Sequence, residues 1–319
     1  MIRKALNHPA LERHLAGIAP DGVTWFALGR TSQAFQMRGI LIHGTHAICQ
    51  MRANHQLNPI ETKILGQALL GSGLSAALQK EPGTVMLRID STGCAEGMSA
   101  EGMKLDNSTI HARSRIFHDH LPEAVYALDS TDKIFLPGSM TLTRIEKNGR
   151  PVSGSVSLKT GNIAKDLAYY YLESEQIRTA VDIGLHFTPE GLAFGAGALL
   201  LQAMPGSDDR FIEQVETMLS GLPPLGLWFS QGGTRDNLLM SIFKEAGFVR
   251  TAEGAFAFDC PCSWEKFLEH IVSLDTATVD DILANGPWPL ETTCHYCSSQ
   301  YEYSKEAVES ARKKIRSKS

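Results

Sequence analysis

The chain has 319 residues, 43% of them hydrophobic, and a formal net charge of −5 with a pI near 6.1. That length predicts two domains with ordinary apolar cores, and the acidic balance excludes a general attraction to nucleic acid or an anionic membrane. The longest weakly polar run, residues 191–201, is glycine-rich, stops at Gln202 and is too short to cross a bilayer.

The opening Met1-Ile2-Arg3-Lys4, followed by Asn7, His8 and Glu12, contains no apolar stretch of the kind a secretory signal needs. A cytoplasmic protein is expected, in which cysteines stay reduced and paired cysteines favour metal over a structural disulfide. Strands are predicted over 24–28 and 40–48. A long helix over 61–80 follows, with Gly66, Ala68, Gly71, Gly73 and Ala76 allowing close packing and Pro82-Gly83 ending it. Residues 84–90 alternate as a strand up to Thr92-Gly93. Runs 139–146 and 152–158 form a hairpin in which Asn148-Gly149 favours a type I′ turn. A helix over 164–174 places Leu167, Tyr170 and Tyr171 on one face, and strands over 180–187 and 191–201 complete the domain. No internal repeat is visible, and the βαβ pattern of a nucleotide-binding sheet is absent.

Three features of this first domain invite sharper readings and support plainer ones. Gly195-Ala196-Gly197 is a lone G-x-G, better explained by close strand packing than by a dinucleotide. His43, His46 and His55 with Cys49 make a poor metal set, because His43 and His46 are three apart on a predicted strand and point to opposite faces. Cys49 and Cys94 are isolated and read as core thiols. No nucleophile with a neighbouring His and carboxylate stands out, so no enzyme is expected.

From Pro205-Gly206 the character changes. Asp208 and Asp209 start an amphipathic helix bearing Phe211, Ile212, Val215, Met218 and Leu219, ended by Gly221-Leu222-Pro223-Pro224. A second helix over 235–246 carries Leu238, Leu239, Ile242 and Phe243. The apolar stretch 225–229 lies between them. These helices are too few for a core of their own and must lean on a neighbour, and that docking is open to being conditional.

The end of the chain holds the strongest signal. Cys260-Pro261-Cys262 and Cys294-His295-Tyr296-Cys297 are two tight pairs, and together Cys260, Cys262, Cys294 and Cys297 make the all-sulfur tetrahedral set that Zn2+ prefers in structural sites. Ser263 caps a helix with Trp264, Phe267, Leu268, Ile271 and Val272 on one face. Thr278 with Asp281 reads as a capping box for a second helix, stopped by Asn285-Gly286-Pro287. The run 290–293, the second pair, and then Tyr301 and Tyr303 read as a small hairpin, and Ser304 caps a last helix over 305–315. A module of this size is marginal on its own apolar core, and one zinc per chain would supply the missing stability. The expected fold is therefore α+β: an N-terminal mixed α/β core domain with an antiparallel sheet (1–206), a helical linker (207–258) and a small C-terminal zinc-binding module (259–319).

These motifs together resemble the redox-regulated heat-shock protein 33 family. The resemblance is carried by Cys260-x-Cys262-Ser263-x-Glu265 and by Cys294-x-x-Cys297 followed by Tyr301 and Tyr303. Ser174-Glu175-Gln176-Ile177-x-Thr179 and the stretch from Ala196-Gly197-Ala198 through Gln202, Met204, Pro205 and Gly206 extend it. Arg178 stands where the family has proline, and Ala198 where it has glycine. The resemblance implies an ATP-independent holdase for unfolding client proteins, inactive when reduced and zinc-bound. Oxidants would form the disulfides Cys260–Cys262 and Cys294–Cys297 and eject zinc, the module and then the linker would unfold, and the active form would be a homodimer. It does not say which surface holds clients. Two other readings remain open: a zinc-ribbon nucleic-acid binder using Arg312, Lys313, Lys314, Arg316 and Lys318, and a thiol–disulfide oxidoreductase using Cys260-Pro261-Cys262. The basic tail is more simply a solvated helix end that suits the C-terminal dipole.

Overall fold

The computed structural model describes residues 1–30, 34–93, 95–117, 121, 133–146 and 149–316. Cys94, Asn148 and Lys318 lie outside them. Two compact units emerge: Ala5–Phe258, and Asp259–Ser319 together with Met1–Lys4.

The larger unit begins with helix α1 (Pro9–Gly17), then β1 (Gly22–Arg30), β2 (Phe35–His43), α2 (Thr45–His55) and α3 (Pro59–Ala77). Strands β3 (Gly83–Ser91), β4 (Gly97–Lys104), β5 (Thr109–Ile116), β6 (Gly138–Glu146) and β7 (Val152–Ser157) follow. Helix α4 (Ile163–Glu175), β8 (Thr179–Phe187) and β9 (Ala193–Ala203) come next. Helices α5 (Asp209–Leu219), α6 (Leu225–Ser230) and α7 (Arg235–Phe243), a single 3-10 turn (Lys244–Ala246) and β10 (Val249–Phe258) close the unit. The ten strands form one sheet in the order β7-β6-β3-β4-β5-β10-β1-β2-β9-β8, antiparallel throughout except where β10 runs parallel to β5.

Helix α3 crosses one face of the sheet and is almost wholly buried. Its start is fixed by a reciprocal cap: the Glu61 backbone N–H donates to Asn58 Oδ1 at 2.9 Å, and the Asn58 N–H donates to Glu61 Oε2 at 3.0 Å. Pro59 at the first helical position has no N–H to orphan. Small residues let the sheet approach this helix; a Cβ on Gly102 of β4 would sit 2.1 Å from the Ser72 carbonyl oxygen. The opposite face is covered by α5, α6 and α7. There Ile212, Val215, Leu225, Phe229, Leu238, Leu239 and Phe243 meet Phe26, Leu28, Met37, Leu41, Leu199 and Leu201 in one apolar cluster.

Several expectations change. The run 40–48 is not one strand, since β2 ends at His43 and Thr45 begins α2. The β6–β7 hairpin pairs Arg144 with Val152. The Asn148-Gly149 turn expected between these strands falls on Asn148, outside the described residues. The segment 207–258 is not all helical, because β10 takes a central place in the sheet between β5 and β1. Gly195 and Gly197 do serve close packing, but their close neighbours include a helix: a Cβ on Gly195 would lie 1.9 Å from the Gly226 carbonyl oxygen in α6.

Candidate metal centre

The smaller unit contains α8 (Trp264–Val272), α9 (Thr276–Asn285), the hairpin of β11 (Leu290–Thr293) and β12 (Gln300–Tyr303), and α10 (Lys305–Arg316). Ser263 caps α8 by accepting from the Lys266 N–H at 3.3 Å, and Ser304 accepts from Ala307 N at 3.3 Å. The cap of α9 is Asp275, not Thr278, whose N–H donates to Asp275 Oδ1 at 3.0 Å; Thr278 sits one turn inside the helix. The apolar core is small: Ile271, Val272, Tyr301, Tyr303 and Val308, flanked by Trp264, Phe267 and Leu268.

The hairpin carries the second cysteine pair at its tip. Thr293 pairs with Gln300, and beyond that rung the Cys294 N–H donates to the Ser299 carbonyl at 2.9 Å. The Ser298 N–H donates back to the Cys294 carbonyl at 2.7 Å, with Ser298 at φ 51°. This left-handed residue folds the tip over, so Cys294 and Cys297 project to one side. Cys260 and Cys262 enter on the extended segment ahead of α8. The four Sγ atoms lie within 4.8 Å of one another, with Cys260 to Cys294 at 3.7 Å and Cys262 to Cys297 at 3.3 Å. A tetrahedral centre with metal–sulfur bonds of about 2.3 Å needs sulfur–sulfur edges of about 3.8 Å, so the cluster fits a single ion.

Electrostatics agrees. The thiols hydrogen-bond to one another, and sharing with Cys260 pushes Cys294 up to about 11 and raises Cys297 as well. Crowded sulfurs resist becoming thiolates until a cation neutralises them, and a bound metal inverts that preference. Cys260, Cys294 and Cys297 are buried while Cys262 is half-buried. Among the described residues this is the group of Cys, His, Asp and Glu side chains whose donor atoms converge.

The histidines weighed with Cys49 make other contacts. His43, at the end of β2, is buried with Nε2 2.9 Å from Thr45 Oγ1. His46, now on α2, pairs with Asp21 at 3.1 Å. His55 meets the edge of the Phe258 ring, and the Cys49 thiol donates to the Ala193 carbonyl at 3.2 Å. Sequence reasoning missed two partners of the centre: the Tyr301 hydroxyl, 3.3 Å from Cys262 Sγ, and the Ser299 hydroxyl, 3.2 Å from Cys297 Sγ. The alternation around Tyr301 was the available signal for the first, and nothing local marked the second.

A family model described as Hsp33 protein matches residues 28–304. The 33 kDa chaperonin of Symbiobacterium thermophilum is 30% identical over 268 residues, covering 81% of this chain and 87% of that protein. The 33 kDa chaperonin of Levilactobacillus brevis is 26% identical over 271 residues, 84% of this chain and 91% of the other. The crystal structure of the 33 kDa chaperonin (heat shock protein 33 homolog) of Thermotoga maritima shares the fold, with a TM-score of 0.76 at 23% identity, over 92% of this chain and 99% of that one.

Proposed function

The chain belongs to the Hsp33 family, of chaperones rather than enzymes, and on that premise we propose that it is a redox-switched, ATP-independent holdase. The observation that carries the reading is the convergence of four thiols beside a small apolar core. Zn2+ on Cys260, Cys262, Cys294 and Cys297 would neutralise the thiolates and tie α8 to the β11–β12 hairpin. Each cysteine pair, Cys260 with Cys262 and Cys294 with Cys297, can as thiolates give two electrons to one hydrogen peroxide, which takes two protons from solvent, leaving a disulfide and two waters. A sulfur committed to a disulfide is a poor ligand, so the module loses its main support.

The segment 207–258 is proposed as the responding element. Its covering of the sheet is supported by the apolar faces of α5, α6 and α7. Its packing is incomplete: a cleft of about 450 Å³ opens between Leu219, Leu222, Pro223 and Pro224 on the α5–α6 connection and Ala180, Leu199 and Leu201 on the sheet. Release of these helices would uncover contiguous apolar surface able to hold equally apolar, unfolding clients. A homodimer as the active form, and a cytoplasmic setting, complete the reading. Among the described residues no helix is long and apolar enough to cross a membrane.

The test follows aggregation of a thermally unfolding client and zinc release in one sample. Suppression of aggregation after peroxide and warmth, with zinc released, and no suppression by the reduced protein, is the expected result. Zinc release without suppression would reduce the centre to a structural clip.

A further inference from the structure

Residues 1–4 belong to the same compact unit as residues 259–319, at the far end of the sequence. The contact runs through Ser299, a residue only 2% exposed. The Ile2 N–H donates to Ser299 Oγ at 2.8 Å, and the same hydroxyl lies 3.3 Å from the Ile2 carbonyl and 3.2 Å from Cys297 Sγ. Next to it, the Met1 amino group donates to the Cys262 carbonyl at 2.9 Å. One cysteine of each pair is therefore touched by this segment or by the residue that holds it.

A serine hydroxyl has one proton and two lone pairs. Here one lone pair takes the Ile2 N–H, the other faces the Cys297 thiol, and the proton goes to the Ile2 carbonyl. With Cys297 a thiolate ligand, the proton has two acceptors within reach, the Ile2 carbonyl and Cys297 Sγ. A thiolate ligand is the stronger acceptor, and donating to it makes the oxygen a better acceptor for the Ile2 N–H. We propose that residues 1–4 form a strap which Ser299 fastens to the ligand Cys297, so that the strap slows loss of the metal and loosens when Cys297 ceases to be a ligand. The proposal rests on the reading of the four cysteines as a metal centre. It assigns Ser299 as a positioning residue that acts through Cys297.

The test uses the full chain, reduced and zinc-loaded, beside Ser299→Ala, Ser299→Thr, a chain lacking residues 2–4, and the combination of that trimming with Ser299→Ala. Zinc transfer to an excess of a chromogenic chelator gives the release rate. Trypsin cleavage after Arg3 and Lys4, followed by mass spectrometry, reports whether the strap is seated. Ser299→Ala is expected to release zinc about tenfold faster. The trimmed chain should behave alike, the combination should add nothing further, and Ser299→Thr, which keeps the hydroxyl, should restore the slow rate. Cleavage after Arg3 and Lys4 should quicken in Ser299→Ala. The strap is overturned by a trimmed chain that releases zinc at the parental rate, by additive effects, or by cleavage unaffected by Ser299→Ala. Failure of the metal reading shows differently, as a parental protein that holds no zinc, and the cleavage comparison still decides the strap.

Discussion

His43 stacks on Phe229 of α6 with ring centroids 4.3 Å apart, at the place where the proposed responding segment meets the sheet. Burial pushes its imidazole from 6.5 down to about 4, helped by His46 and Arg235 and opposed by Asp21. The unfolded chain takes up this proton below pH 6.5, whereas the native chain does so only near pH 4. The stability contributed by neutral His43 is therefore complete above pH 6.5 and lost as pH falls toward 4, by roughly 3 kcal/mol. His46 works in the other direction: its bond to Asp21 raises it, so its contribution is full in acid and fades as pH rises through the raised value. His43→Gln should flatten the fall of Tm between pH 6.5 and 4; an unchanged slope would place the acid sensitivity elsewhere. The cysteines divide in the same physical way. Burial pushes the Cys49 thiol up to about 12, so it should resist alkylation in the native reduced protein. Cys294→Ser removes one of the four proposed ligands, and should abolish stoichiometric zinc binding and bring client binding under reducing conditions, read by metal analysis and an aggregation assay.

At the scale of elements, the join of α6 to β9 and β8 is built from backbone in contact with backbone. A Cβ on Gly195 would lie 1.9 Å from the Gly226 oxygen and 2.6 Å from Ser230 N, and one on Gly226 would lie 2.5 Å from His186 N. No rotamer change relieves such overlaps. Gly195→Ala should cost about 1–3 kcal/mol, lift α6 from the sheet and speed limited proteolysis within residues 207–248, while zinc content stays at the parental level. The motif was visible in the sequence as Gly195-Ala196-Gly197, but its partner was not, because that partner lies on a helix from a later segment. Legibility fails elsewhere for the same reason. Strand β10 has only Phe256 and Phe258 buried, and it pairs with β5 and β1, so no local period announces it. The run 40–48 has apolar residues on both sides of the Gly44 break, Ile40 to Ile42 and then Ala47 and Ile48, which hides the switch from strand to helix. The cysteine centre was readable because each pair is local and its chemistry needs only that the two pairs meet. The Ser174-Glu175-Gln176 segment was readable as a motif, yet only the fold shows that Glu175 pairs with Arg144 and that Gln176 ends α4 at φ 55°. Arg178 bridges to Asp209 at the start of α5 at 2.7 Å; both side chains are exposed, so the pair contributes little.

For the whole molecule, the division into two units sets the order in which order should be lost. The unit holding the centre has a small core, whereas the unit of residues 5–258 is built around a ten-stranded sheet with a helix buried on one face. Chelation of zinc from the reduced protein should therefore strip amide protection first from α8, α9 and α10, leaving β3, β4 and β6 protected. Peroxide with warming should extend the loss to α5, α6 and α7, since their contact with the sheet is helical, apolar and bordered by a cleft. Strand β10 is the informative boundary. It is bonded on both sides, to β5 and to β1, and ends at Phe258, two residues before Cys260. If β10 keeps its protection while α5–α7 lose theirs, activation peels helices from an intact sheet, and the client surface includes Phe26, Leu28, Met37 and Leu41. If β10 exchanges together with the helices, the sheet itself parts between β5 and β1, and the uncovered surface includes strand edges as well as an apolar face. Hydrogen exchange measured by mass spectrometry on the reduced, chelated and oxidised protein separates the two, because peptides from 249–258 and 207–248 report independently.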